Sequence, residues 1–131
     1  MICKFIYYFI GVLLSRLVGI DKVNDCVVFE DKEIMEKYDV IYIGFPVWWY
    51  DLPMPVWTFL EEYDLSGKTI IPFFSHNGSS NGAGSLDTIS NLAPNSEILS
   101  NDAISVRGSD VADSESKIKE WARKFTVNKG E

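Results

Sequence analysis

The chain has 131 residues, which suits a single domain large enough to bury a real core. Its 19 acidic and 12 basic residues give a formal charge of −7, which excludes nucleic acid as a partner because phosphate backbones need a basic face. Hydrophobic residues at 47% and charged residues at 24% exclude a disordered chain and describe an ordinary globular one. Cys3 and Cys26 form no CxxC pair, and His76 is the single histidine, so neither a zinc site nor a redox dithiol is indicated. Both cysteines read as small buried residues in a reducing cytoplasm.

Phe5 to Leu14 is an apolar run behind Lys4, and a second apolar stretch reaches Ile20 after Ser15 and Arg16. The run resembles the front of a signal peptide, but no small-x-small cleavage site follows it. It is also too short and interrupted to span a bilayer, which takes about 20 apolar residues, so no membrane association is expected. The competing reading is a buried strand or helix that opens the domain.

From Asp25 onward strand-like and helix-like segments alternate. Val27 to Glu30 is a weak strand and Lys32 to Lys37 a polar helical turn. Asp39 to Phe45, DVIYIGF, is a run of β-formers without polar alternation, the mark of a strand covered on both faces of a parallel sheet. Val56, Phe59, Leu60 and Tyr63 share one helical face. Asp64 to Gly67 is a turn, and Thr69 to Phe74 is a second buried strand. Ser75 to Ser85 is a Gly, Ser and Asn loop. Leu86, Ile89 and Leu92 predict a helix ending before Pro94. Ile98 with Leu99, and Ala103 to Val106, read as short strands. Asp113 is placed to cap a last helix with Ile118, Trp121, Ala122 and Phe125 on one face.

This order predicts parallel βαβ units with right-handed crossovers. Such sheets bind ligands beyond the carboxyl ends of their strands, so the loops after Phe45, Phe74 and Val106 are the places to look. The first, Pro46 to Pro55, puts Trp48, Trp49 and Tyr50 in succession between prolines that stiffen it. Three consecutive rings cannot all enter one core face, so at least one faces solvent or a flat ligand. The alternative is that they cover the sheet edge. The second, Ser75 to Ser85, holds Gly78, Gly82 and Gly84 and no bulky apolar side chain. Glycines allow backbone to approach a ligand closely, although a plain surface loop has the same composition.

In combination, DVIYIGF, the PVWW segment with the prolines after it, SGKTIIPF and the glycine loop resemble the short flavodoxin family, from about Tyr38 to Phe125. The resemblance implies one flavodoxin-like domain over residues 1–131, an α/β doubly wound parallel sheet with FMN as cofactor. Residues 1–25 form an atypical segment, so the sheet is incomplete or altered at its N-terminal strand and loop. The resemblance also implies that Pro46, Val47, Trp48, Trp49 and Tyr50 line one side of the flavin, with Trp49 the foremost ring contact. Ser75, His76, Asn77, Gly78, Ser79 and Ser80 reach its pyrimidine end through backbone and hydroxyl groups. His76 and Asn77 replace residues that are small in that family, and His76 reads as a loop residue before it reads as a group tuning flavin protonation.

The family's phosphate loop, rich in Ser, Thr and Gly, is not evident. Ile2 to Phe9 fits the preceding strand, but Ile10 to Leu14 has one glycine and no hydroxyl, and apolar side chains cannot satisfy a dianion. Three readings are open: a start site that omits the loop, a paralogue that has lost it, or a phosphate held elsewhere. The expected function is a cytoplasmic FMN-dependent electron carrier that meets redox partner proteins, with Asp51 opposing negative charge on the reduced flavin. No catalytic acid, base or nucleophile stands out. Alternatives are a small FMN-dependent quinone or nitro reductase, and a domain without flavin that acts as an interaction module.

Overall fold

The computed structural model describes residues 35–126. The atypical segment 1–25, the expected strand Val27 to Glu30 and the first half of the helical turn Lys32 to Lys37 lie outside those residues; of the turn, Met35 and Glu36 are helical. The described part is an α/β domain built on a parallel sheet. Strand β1 (Val40–Pro46) leads through helix α1 (Met54–Glu62) to strand β2 (Thr69–His76). Helix α2 (Ser85–Leu92) follows, then strands β3 (Glu97–Ile98) and β4 (Ile104–Arg107) and helix α3 (Glu115–Thr126).

β1 and β2 pair in parallel from Val40↔Thr69 to Pro46↔Ser75. On its other side β2 pairs first with β3, at Thr69↔Glu97 and Ile70↔Ile98, and then with β4, from Phe73↔Ile104 to His76↔Arg107. β3 and β4 are therefore two halves of one interrupted strand, with a 3-10 turn at Ser100–Asp102 between them.

The interruption accommodates a proline in the central strand. Leu99 N–H donates to the Ile70 carbonyl and Thr69 N–H to the Asp39 carbonyl, so even-numbered residues of β2 face β3 and β4. The missing N–H of Pro72 therefore points into the gap between the two short strands. No ladder bond is lost there, which is the circumstance in which a buried strand tolerates proline.

Side chains alternate across the sheet into two cores. Ile41, Ile43, Phe45, Ile70 and Phe74 pack with Val56, Phe59 and Leu60 of α1 and Ile89 of α2. Tyr42, Ile71, Phe73, Ile104 and Val106 pack with Ile118, Trp121 and Ala122 of α3. Both faces are covered, which explains why β1 and β2 carry unbroken apolar sequence. The expected parallel neighbours and the expected apolar faces of α1 and α3 are all present.

Helix ends follow local chemistry. Pro53 caps α1 and Pro55 sits in its first turn, where a missing N–H costs nothing. Pro94 lies just beyond α2, whose last bond runs from Ala93 N–H to the Ile89 carbonyl. One expectation is corrected: Asp113 does not cap α3. It belongs to a 3-10 turn, Gly108–Asp113, and α3 begins after Ser114, whose hydroxyl donates back to the Asp110 carbonyl. The intervening 3-10 turn takes up the polar residues that looked like a helix cap. A second difference is that β2 runs on to His76 and α2 begins at Ser85, so the loop between them is residues 77–84.

Candidate functional site

Three loops leave the carboxyl ends of β1, β2 and β4, and they adjoin. Val47 N–H donates to the Ser75 carbonyl at 2.9 Å, at the point where the first two loops begin. Further out, Gly84 N–H donates to the Tyr50 carbonyl at 3.0 Å. A side chain at Gly84 would come to 3.4 Å from that same oxygen, so the second loop passes close against the first. The third loop opens at Gly108, whose β-position lies 3.8 Å from the His76 carbonyl. The first two expected loops therefore lie side by side at the end of the sheet where ligands bind in open α/β folds.

The first loop is a tight turn. Trp48 N–H donates to the Asp51 carbonyl and Asp51 N–H to the Trp48 carbonyl, both at 3.0 Å. Trp49 and Tyr50 occupy the two central positions with φ of 50° and 66°. Such turns normally use Asn and Gly, because a left-handed backbone costs other residues about 1–2 kcal/mol each. The rings gain little from the fold in return: Trp49 is 95% exposed, Tyr50 74% and Trp48 45%. Trp49 and Tyr50 thus do not cover the sheet edge. Strain of this kind persists only where surrounding contacts impose it, and it gathers at ligand sites. Tyr50→Gly is accordingly expected to raise stability by about 0.5–1 kcal/mol, the relieved strain less the entropy of glycine, in urea unfolding monitored by circular dichroism.

Asp51 is one source of those contacts. Its Oδ1 accepts the Leu52 N–H at 2.7 Å and its Oδ2 accepts the Thr88 hydroxyl at 3.1 Å. The residue expected to act through charge thus has both oxygens committed to holding the loop. Pro46 is buried at the end of β1, and Val47 is half-buried against the core. These two anchor the turn, while Trp48, Trp49 and Tyr50 present its surface.

The second loop takes its shape from glycine. Gly78 and Gly82 have φ of 123° and 78°, and Ala83 follows at 49°. At Gly82 a β-carbon would lie 3.0 Å from the Phe74 ring, which stacks on Phe45. Gly78 N–H donates to His76 Nδ1 at 3.1 Å, so that nitrogen is an acceptor and serves the loop's own turn. Ser75 is buried in the strand, Asn77, Gly78 and Ser80 are exposed, and Ser79 is half-buried. Sequence reasoning did not single out Thr88 as part of this site, and no local pattern marks it.

These residues suit one end of a flavin. Exposed aromatic rings of the first loop adjoin a neutral loop of Ser, Asn and Gly, a combination that suits a ligand with a flat face and a polar edge. Neither loop, residues 46–55 or 75–85, contains lysine or arginine, so neither brings a cationic side chain to a phosphate. Among the described residues no helix is long and apolar enough to cross a membrane, and no cluster of His, Cys, Asp or Glu could hold a metal ion.

Solved structures share this architecture. A flavodoxin from the domain Archaea is 12% identical, with a TM-score of 0.60 over 96% of this chain and 99% of its own. A Fusobacterium nucleatum flavodoxin bound to flavin mononucleotide is 12% identical, with a TM-score of 0.59 over 95% of both chains. An NADPH-quinone reductase from P. pentosaceus is 16% identical, with a TM-score of 0.61 over 98% of this chain and 97% of its own. Comparison with curated protein sequences gives no match. The flavodoxin family profile matches residues 15–125, most of the chain, and the chain therefore belongs to the flavodoxin family.

Proposed function

We propose that the cleft holds the isoalloxazine ring of FMN and that the protein carries electrons. The observation behind this reading is a pair of exposed aromatics, Trp49 and Tyr50, held in left-handed conformation beside a glycine-shaped polar loop. Trp49 is the ring that stacks on the flavin, and Trp48 is the second contact. Backbone N–H and hydroxyl groups of residues 77–80 meet the polar edge of the ring, with Ser75 and His76 shaping the start of that loop. The flavin supplies the redox chemistry itself. The chain's part is to hold the ring, keep water from one of its faces and surround it with charge. The carboxylates of Asp51, Asp110 and Asp113 and the net charge of −7 oppose added negative charge, which favours a low potential.

Exposure favours a carrier over a reductase. The aromatic wall is open to solvent, which suits electron transfer to another protein across a surface. A reductase needs an enclosed space for a second substrate beside the ring. The acidic surface suits a partner with a basic face, which association would steer together faster at low salt. A reducing cytoplasm is the compartment this reading assumes.

Trp49→Ala tests the assignment. The ring is 95% exposed, so stability is expected to change by less than about 0.5 kcal/mol. Riboflavin affinity is expected to fall about tenfold with the lost stacking, measured by quenching of flavin fluorescence. Unchanged affinity would remove Trp49 from the site, and no binding by the unmodified protein would favour the interaction-module reading. Turnover of NADPH with a quinone would favour the reductase instead.

A further inference from the structure

Thr88 is not on either cleft loop, yet it is bonded to both. It lies in α2, and its hydroxyl reaches Asp51 Oδ2 at 3.1 Å across 37 positions of sequence. Its backbone N–H donates to the Gly84 carbonyl at 2.9 Å. Gly84 in turn donates to the Tyr50 carbonyl at 3.0 Å. Two chains of hydrogen bonds therefore run from Thr88 to the aromatic turn, one through Asp51 and one through Gly84.

We propose that Thr88 is a positioning residue for the aromatic wall of the cleft, an inference that rests on the flavin reading of that cleft. Three features carry it. The turn is not held by the preferences of its own residues, since both central ones have positive φ. Nor is it held by packing, since Trp49 and Tyr50 are exposed. Its closure by the two Trp48–Asp51 backbone hydrogen bonds is therefore supplemented by tethers from outside. Thr88 supplies the tether whose far end is a helix, and sites fixed from regular elements are held more closely than sites fixed from loops. Without the hydroxyl, Asp51 Oδ2 loses this partner and turns toward water. The turn is then free to leave its left-handed conformation, and Trp49 moves away from the place where a flat ligand would meet it.

Thr88→Val keeps the shape of the side chain and removes the hydroxyl, while Thr88→Ser keeps the hydroxyl. In Thr88→Val, amide hydrogen exchange at Asp51 and Gly84 is expected to quicken about tenfold while Ile71 in β2 exchanges as before. Riboflavin affinity is expected to fall about tenfold, equivalent to about 1.4 kcal/mol. Thr88→Ser is expected to restore both. Equal acceleration at Ile71 would show a general loss of stability and overturn the proposal, as would unchanged riboflavin affinity. Should Thr88→Val not fold, Thr88→Ala removes the same hydroxyl with a better helix former and is read in the same way. If the unmodified protein binds no riboflavin, the flavin reading falls, and the exchange measurement alone then decides whether Thr88 holds the turn.

Discussion

Titrated side by side, riboflavin and FMN are expected to bind this chain with nearly equal affinity, at micromolar levels or weaker. The ring and the phosphate of FMN make separable contributions. Stacking on Trp49 and hydrogen bonds from residues 77–80 serve the ring, and riboflavin has that ring too. Phosphate recognition needs N–H and hydroxyl donors at a helix N-terminus. Residues Ile10 to Leu14 offer no hydroxyl, and the loops 46–55 and 75–85 offer no lysine or arginine. Hydrogen bonds to a charged group contribute about 1.5–3 kcal/mol each, so lacking several weakens FMN by several orders of magnitude. Tryptophan fluorescence reports both titrations, since Trp48 and Trp49 stand at the cleft. Nanomolar FMN binding with a strong preference over riboflavin would overturn the expectation and show that a phosphate site exists beyond these loops.

That expectation could be framed from sequence because the flavin-facing loops follow the most legible part of the chain. β1 and β2 are covered on both faces, so DVIYIGF and the run from Thr69 carry no polar alternation and read as parallel strands. The loops after them were legible for the same reason, since a parallel strand fixes where its carboxyl end lies. Other features depend on distant residues and leave no local trace. The strand beside β2 is broken into β3 and β4 around the missing N–H of Pro72, a feature visible only once the pairing is known. The left-handed turn is hidden because Trp49 and Tyr50 are residues that avoid such backbones, whereas Asn and Gly would have announced it. Thr88 is hidden because its partner is 37 residues away. Asp113 misled because an Asp before an amphipathic helix matches a cap, and a 3-10 turn matches the same residues.

The site rests on a packing arrangement that a single methyl group should disrupt. Gly44↔Phe73 is an in-register pair of β1 and β2, and both positions face α3. The Phe73 ring lies across Gly44 so closely that a β-carbon there would sit 2.1 Å from the ring's Cζ. The ring has little room to retreat, because Trp121 packs against it with centroids 6.0 Å apart, and the Trp121 indole N–H is itself fixed to the Asp102 carbonyl at 2.5 Å. Glycine in a strand costs about 0.5–1 kcal/mol relative to alanine, so Gly44→Ala would stabilise a strand with open space above it. Here overpacking dominates, and a net loss of about 2–3 kcal/mol is expected, with a fall in Tm on the order of 10 °C. Phe73→Leu removes the far end of the ring and with it the clash. The double variant Gly44→Ala with Phe73→Leu is therefore expected to be no less stable than Phe73→Leu alone, a departure from additivity of about 2 kcal/mol. Additive losses in urea unfolding would mean that the Gly44 position is sensitive for another reason. Gly44 is followed only by Phe45 and Pro46 before the cleft begins, so Gly44→Ala should also weaken riboflavin binding, and Phe73→Leu should restore it.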